Sequence, residues 1–170
     1  MPKIAIKPAT LAALKAQYND ELNNAHAYEA FAIWCKKQNL NGFGGYFHTQ
    51  SGEEREHAEK IAEHLLNRGE APETGVLTAP KTSFSSVMEV AKLVQAMEGD
   101  TTAKVNAIYE TATKEGDYPT QLLLQWFIGE QVEEEAWTDE MVALIAGATC
   151  AGSMNSLDRH ISKFLGKGGE

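Results

Sequence analysis

Only two cysteines, Cys35 and Cys150, occur in 170 residues, and they lie far apart. That is too few for a disulfide scaffold, fits a reducing compartment, and predicts two free thiols. No apolar run reaches the length of about 18 residues needed to cross a bilayer, which argues against a membrane protein. The first ten residues, Met1 to Thr10, alternate Lys and Pro and lack the apolar stretch of a signal peptide, so a cytoplasmic location is expected. Basic residues are in the minority, 15 against 24 acidic, for a net charge of −9. They are scattered rather than gathered into a stripe, which excludes a typical nucleic-acid-binding surface and favours cations as guests. There is no short repeat, no low-complexity tract, and no glycine pattern of the Rossmann or phosphate-loop kind.

What remains is long segments rich in Ala, Leu, Glu, Lys and Gln, with apolar positions at alternating spacings of three and four. They are punctuated at Asn39–Gly42, Arg68–Pro80, Lys114–Pro119 and Gly147–Ser153. The reading is four helices, Pro8–Lys37, Gly42–Asn67, Phe84–Ala112 and Pro119–Ala146. A short fifth follows at Ser156–Phe164, with Asn155 as N-cap and Gly166 beyond its end.

Short first and third connections join antiparallel neighbours. The second, with Gly69, Pro72, Gly75 and Pro80, is longer. An extended chain of about 15 residues reaches about 50 Å, whereas a helix of about 30 residues is about 45 Å long. It can therefore run the length of the bundle and leave the second and third helices parallel. The expected fold is an all-α four-helix bundle with one long crossover and a short C-terminal fifth helix, in one domain spanning 1–170.

Inward stripes can be read along each helix. The first is Leu14, Tyr18, Glu21, Ala25, Tyr28, Ala32, Cys35. The second is Phe43, Phe47, Gln50, Glu54, His57, Ile61. The third is Val87, Ala91, Val94, Glu98, Thr101, Val105, Ile108, and the fourth is Leu124, Phe127, Gln131, Glu134, Thr138, Met141, Ile145.

Each stripe turns polar near its middle, so Glu21, Glu54, His57, Glu98, Gln131 and Glu134 should meet in one layer. Unpaired buried carboxylates cost several kcal/mol each and repel one another. No Lys or Arg lies on the stripes to neutralise them, but two divalent cations would. An oxygen-rich set with one imidazole suits iron or manganese. Glu54 and His57, three apart, aim at one ion from a single helical turn.

With these residues the sequence resembles the ferritin superfamily, and within it the bacterial non-haem ferritins. Further points of resemblance are Tyr28, Ile33-Trp34-Cys35, Tyr118-Pro119, Leu124-Gln125-Trp126 and the run from Gly129 to Glu135. The resemblance implies one iron held by Glu21, Glu54 and His57, and a second held by Glu54, Glu98 and Glu134 with Gln131 nearby, Glu54 being the bridge. It implies a redox role for Tyr28 and a third iron site at Glu53, Glu130 and Glu133 with Glu134 shared.

The implied activity is ferroxidase: Fe(II) is oxidised by O2 or peroxide and stored as Fe(III) mineral in a homo-oligomeric shell, with 24 copies expected. Arg55 stands where a bacterioferritin carries its haem methionine, so no haem is expected. The second Glu-x-x-His of related di-iron proteins is replaced by Gln131 and Glu134. The acidic pair that lines the three-fold channel of animal ferritins is replaced by Gln121 and Leu124, which leaves a path past Glu53 and Glu130 as an iron route. The rival readings are a non-storing di-iron oxidase and a bundle that binds divalent metal without catalysis. His26, His48, His64 and His160 have no carboxylate at ligand spacing and are assigned no role.

Overall fold

The structure, a computed structural model, describes residues 5–164. Pro8 opens α1 (Pro8–Lys37), where its fixed φ suits the first helical turn. Free N–H groups of that turn find an acceptor at a distance in sequence, because Thr10 donates from both N and Oγ1 to Glu115, at 3.1 and 2.6 Å. Residues 38–40 turn the chain into α2 (Asn41–Asn67). Asn39 sits there at φ 62°, a left-handed conformation that asparagine tolerates better than most residues.

Ser86 caps α3 (Val87–Glu115) by accepting from Glu89 N, while Glu89 reaches back to Ser85 N and Oγ at 2.7 Å. This reciprocal capping explains why α3 begins at Val87 rather than at the expected Phe84. Phe84 instead packs its ring edge-on against Phe31 and Trp34. The helix also runs past the expected Ala112 to Glu115, where Gly116 at φ 68° ends it. Asp117 then caps α4 (Tyr118–Gly147).

Long-range bonds fix the directions. The start of α1 meets the end of α3 at Thr10–Glu115, and the end of α2 meets the start of α4 at Arg68–Asp117. The first bond makes α1 antiparallel to α3, and the turn at 38–40 makes it antiparallel to α2, which leaves α2 and α3 parallel, as the long crossover requires. The crossover, residues 68–86, lies along α1 and is held through its backbone. Asn19 donates to Glu73 O and accepts from Gly75 N, Asn23 accepts from Thr78 N, and the Tyr18 hydroxyl meets Thr74.

α5 (Ala151–Phe164) starts five residues before the expected Ser156. Cys150 rather than Asn155 serves its first turn, accepting at Sγ from Ser153 N at 3.4 Å while its own N donates to Ser153 Oγ at 3.1 Å. Gly166 lies outside the described residues. The helix docks on the start of α2, where buried Asp158 accepts from Phe43 N at 3.0 Å and so caps a helix that has no side-chain cap of its own. Gly42 makes this approach possible, because a Cβ there would stand 1.5 Å from Asp158 O.

Two apolar cores result. One gathers Phe31, Trp34, Phe43, Phe47, Val90 and Leu157; the other gathers Leu14, Ile61, Leu65, Val105, Leu124 and Phe127. Between them the stripes carry the predicted polar layer. Cys35 is buried and Cys150 exposed, both as free thiols. Burial, with the charge of Asp158, pushes the Cys35 thiol up to about 12, so it is a neutral packing residue.

The Arg68–Asp117 pair, at 2.7 and 2.8 Å, closes one end of the bundle. Burial alone would raise the Asp117 carboxyl, but Arg68 and Thr120 outweigh it and hold the group below its usual value. Arg68→Ala would leave a buried carboxylate unpaired, and thermal melting at neutral pH should show a loss of about 3 kcal/mol. The folded value is the depressed one, so the pair's contribution is complete above the ordinary aspartate value. It disappears as pH falls through the lowered value. Unchanged melting at neutral pH would refute this role.

Candidate metal centre

Glu21 on α1 is fully buried, and Glu54 and His57 on α2 are nearly so. Their three ligand atoms lie within 4.8 Å of one another. Nδ1 of His57 stands 3.8 Å from Glu21 Oε2 and 3.8 Å from Glu54 Oε1, an ion-pair spacing too long for a hydrogen bond. The one-turn offset of Glu54 and His57 brings both onto the inner face of α2, as the Glu-x-x-His spacing predicts.

Glu98 on α3 joins the cluster through two donors. The Tyr28 hydroxyl donates to its Oε1, and Gln131 Nε2 on α4 donates to its Oε2 at 3.2 Å. Glu134, also on α4, accepts from Gln50 Nε2 at 3.4 Å and acts electrostatically on Tyr28, Glu54 and His57. Four helices thus deliver the six polar side chains to one level, with no Lys or Arg among them.

Concentrated charge shows in the ionisation of the groups. Burial raises Glu54 well above the usual carboxylate range, and the neighbouring Glu21 and Glu98 add to the shift. Burial also raises Glu98, against the lowering effect of Tyr28 and Gln131. For Glu21 burial is again the largest influence, yet His57 and Glu54 together hold it below its usual value. Burial would lower His57, but Glu21 overrides it and raises the imidazole. Tyr28 is pushed far up by burial and by Glu98, which keeps it a neutral O–H donor. Glu21 Oε2 is buried without a hydrogen-bond partner. A carboxylate oxygen in that condition, 3.8 Å from an imidazole nitrogen, fits a divalent cation held by oxygen donors and one imidazole.

Beside this layer a cleft of about 580 Å³ opens between α2 and α4, lined by Glu53, Glu56, His57, Glu59, Lys60, Glu63, Trp126 and Glu130. Lys60 lies over the Trp126 ring at 4.2 Å, and the ring edge meets His57. Of the three residues expected at a further site, Glu53 and Glu130 line this cleft, whereas Glu133 is exposed and is not among its walls.

A match to the Ferritin family model, described as Ferritin-like domain, spans residues 11–148. The chain belongs to the ferritin family. It is 42% identical over 126 residues to the bacterial non-heme ferritin of Staphylococcus epidermidis, covering 74% of this chain and 76% of that one. It is 41% identical over the same length to the bacterial non-heme ferritin of Staphylococcus aureus MRSA252, again covering 74% and 76%. Among solved structures, the open-pore ferritin of the hyperthermophilic archaeon Archaeoglobus fulgidus superposes with a TM-score of 0.90 at 28% identity, covering 94% of this chain and 98% of that one. The all-α architecture of this ferritin is the one expected from its sequence.

Several side chains around the layer are not evident from the sequence stripes. Gln17, not Tyr18, continues the inner stripe of α1: Gln17 is buried and donates to Glu21 Oε1 at 2.7 Å, while Tyr18 turns out to the crossover. Asn24 donates to Glu54 Oε2 at 3.4 Å and to Thr101 Oγ1 at 3.1 Å. The one signal in the sequence is the amide of Gln17, one helical turn before Glu21. The histidines also need a correction. His48 does have a carboxylate neighbour, Glu29 at 2.9 Å, supplied across the α1–α2 hairpin and invisible to spacing within one helix.

Proposed function

We propose that this chain oxidises Fe(II) at the buried cluster and stores the product as ferric mineral in a shell of identical subunits, with 24 copies as the expected number and the cytoplasm as its location. The observation that carries the reading is four glutamates and one histidine, Glu21, Glu54, His57, Glu98 and Glu134, brought from four helices and buried at one level. Glu21, Glu54 and His57 would hold one Fe(II). Glu54, Glu98 and Glu134 would hold the second, with Gln131 beside it. A carboxylate attracts the more highly charged Fe(III) more strongly than Fe(II), which makes loss of an electron more favourable here than in water.

Two Fe(II) give up one electron each. O2 takes both electrons and two protons to leave as H2O2, or H2O2 takes them with two protons to give two water molecules. Fe(III) then hydrolyses to hydrated oxide and releases protons. The acidic cleft at Glu53, Glu56, Glu59, Glu63 and Glu130 adjoins His57 and offers cations a route or a weaker third site. Anaerobic Fe(II) soaking of crystals followed by timed air exposure tests the assignment, with two strong metal positions expected in the layer and a weaker one near Glu130. A single tetrahedral site would sink it.

Tyr28 can serve as an electron donor because its hydroxyl proton already has an acceptor in Glu98. Electron loss from a phenol is easier when the proton leaves with it. Tyr28→Phe, which also takes a hydrogen bond from Glu98, should therefore slow oxidation about tenfold or more. Equal rates in stopped-flow mixing with O2 would remove Tyr28 from the reaction.

A further inference from the structure

The four glutamates of the layer share a pattern of support. Each accepts from a different side-chain amide: Glu21 from Gln17, Glu54 from Asn24, Glu98 from Gln131, and Glu134 from Gln50. An amide donates without carrying charge and does not ionise, so it can orient a carboxylate while leaving its negative charge intact. A Lys or Arg in the same place would donate more strongly, but would cancel charge that two divalent cations need.

The two amides on α1 act on specific atoms. Gln17 Nε2 occupies Glu21 Oε1 at 2.7 Å, and Glu21 Oε2 is the oxygen left without a hydrogen bond, 3.8 Å from His57 Nδ1. Asn24 Nδ2 reaches Glu54 Oε2 at 3.4 Å, and Glu54 Oε1 is the oxygen 3.8 Å from that same nitrogen. In both glutamates one oxygen is held from α1 and the other faces His57. Asn24 is itself fixed by Thr101 on α3, and Gln17 is buried, so neither amide is free to wander.

We propose that Gln17 and Asn24 are positioning residues: each holds the outer oxygen of one glutamate and so turns the inner oxygen toward the His57 nitrogen, setting a three-atom cation site without neutralising its charge. The inference rests on the metal-binding reading above. It adds two residues that never touch the metal, in a role generally worth ten- to a hundredfold in affinity.

Co(II) titration of the assembled, metal-free protein tests it, since the d–d absorption of Co(II) reports ligand number and geometry without any turnover. Wild-type protein should take up two Co(II) per chain. Gln17→Met and Asn24→Leu, which keep side-chain volume and lose the donor, should each weaken the site by about tenfold or more and alter the d–d bands. A merely structural role would lower the melting temperature and leave the bands as they are.

Asn24 is half-buried, so Asn24→Leu decides between these outcomes even if Gln17→Met does not assemble. Variants with wild-type affinity and bands beside a wild type that binds normally overturn this proposal alone. A wild type that binds no Co(II) overturns the functional reading, and this inference with it.

Discussion

Glu54→Gln is expected to lower the initial rate of Fe(II) oxidation by about a hundredfold or more, the scale on which losing a shared metal ligand exceeds losing a supporting hydrogen bond. Glu54 is placed against His57, Glu21 and Glu98 at once, by contact or by charge. Removing its charge takes a ligand from both proposed ions, so the two no longer share one oxidant.

The same substitution should stabilise the metal-free protein, which separates a functional effect from damage to the fold. Burial and the charges of Glu21 and Glu98 raise the folded-state value of Glu54 above that of the unfolded chain. A carboxyl shifted that way costs nothing below its ordinary range, and destabilises as pH climbs from there through the raised value. At neutral pH the metal-free Gln variant should melt above the wild type, and the gap should shrink on acidification toward the ordinary carboxylate range. Oxygen-uptake traces that match the wild type would remove Glu54 from the chemistry. A lower melting point in the metal-free variant would contradict the charge argument.

Gly42→Ala should produce the largest structural effect. Its new Cβ would lie 1.5 Å from the carbonyl oxygen of Asp158 and 2.6 Å from the carbonyl carbon. Both are backbone atoms, so the strain cannot be relieved by rotating a side chain. α5 must withdraw, and the Asp158 cap on Phe43 N goes with it. Overpacking costs about 1–3 kcal/mol and a lost cap about 1 kcal/mol, so a loss of about 3 kcal/mol is expected in denaturant melts.

The carboxylate layer sits in the middle of α1–α4, away from this contact. Surviving chains should therefore bind Co(II) normally. Wild-type melting would show that α5 does not depend on this close approach.

Much of this architecture can be read directly from the residues. The limits of α1 match because Pro8 opens it and Gln38, Asn39 and Leu40 form a short turn after it. The second helix and the fourth begin or end within one residue of expectation, at Asn41, Tyr118 and Gly147. The parallel pairing of α2 and α3 follows from the length of the crossover. The burial of Glu21, Glu54, His57, Glu98, Gln131 and Glu134 follows from their stripes.

Where structure and expectation part, the causes are physical. Aromatic Phe84 fits a helical stripe and so extends the apparent start of α3, whereas the capping pair Ser86 and Glu89 decides where N–H groups are satisfied. α5 looks shorter in sequence because Gly152 and Ser153 read as loop, and because a cysteine is an unusual partner for a first turn. Tyr18 displaces Gln17 from the apparent stripe since an aromatic ring favours the interior. A buried amide is tolerated only where a partner waits, and that partner, Glu21, is known to be buried only once the layer is recognised.

The crossover carries one more implication, for protein engineering. Its course over residues 73–78 is written on α1 rather than on itself: Asn19 and Asn23 grip peptide groups, which every amino acid other than proline supplies in full. Side chains such as Val76, 97% exposed, are left out of that grip. The segment around Val76 is therefore a natural place to graft a peptide tag, provided the two asparagines beneath it, the Tyr18–Thr74 contact and Gly75, where a Cβ would stand 3.3 Å from Asn19 Oδ1, are left alone.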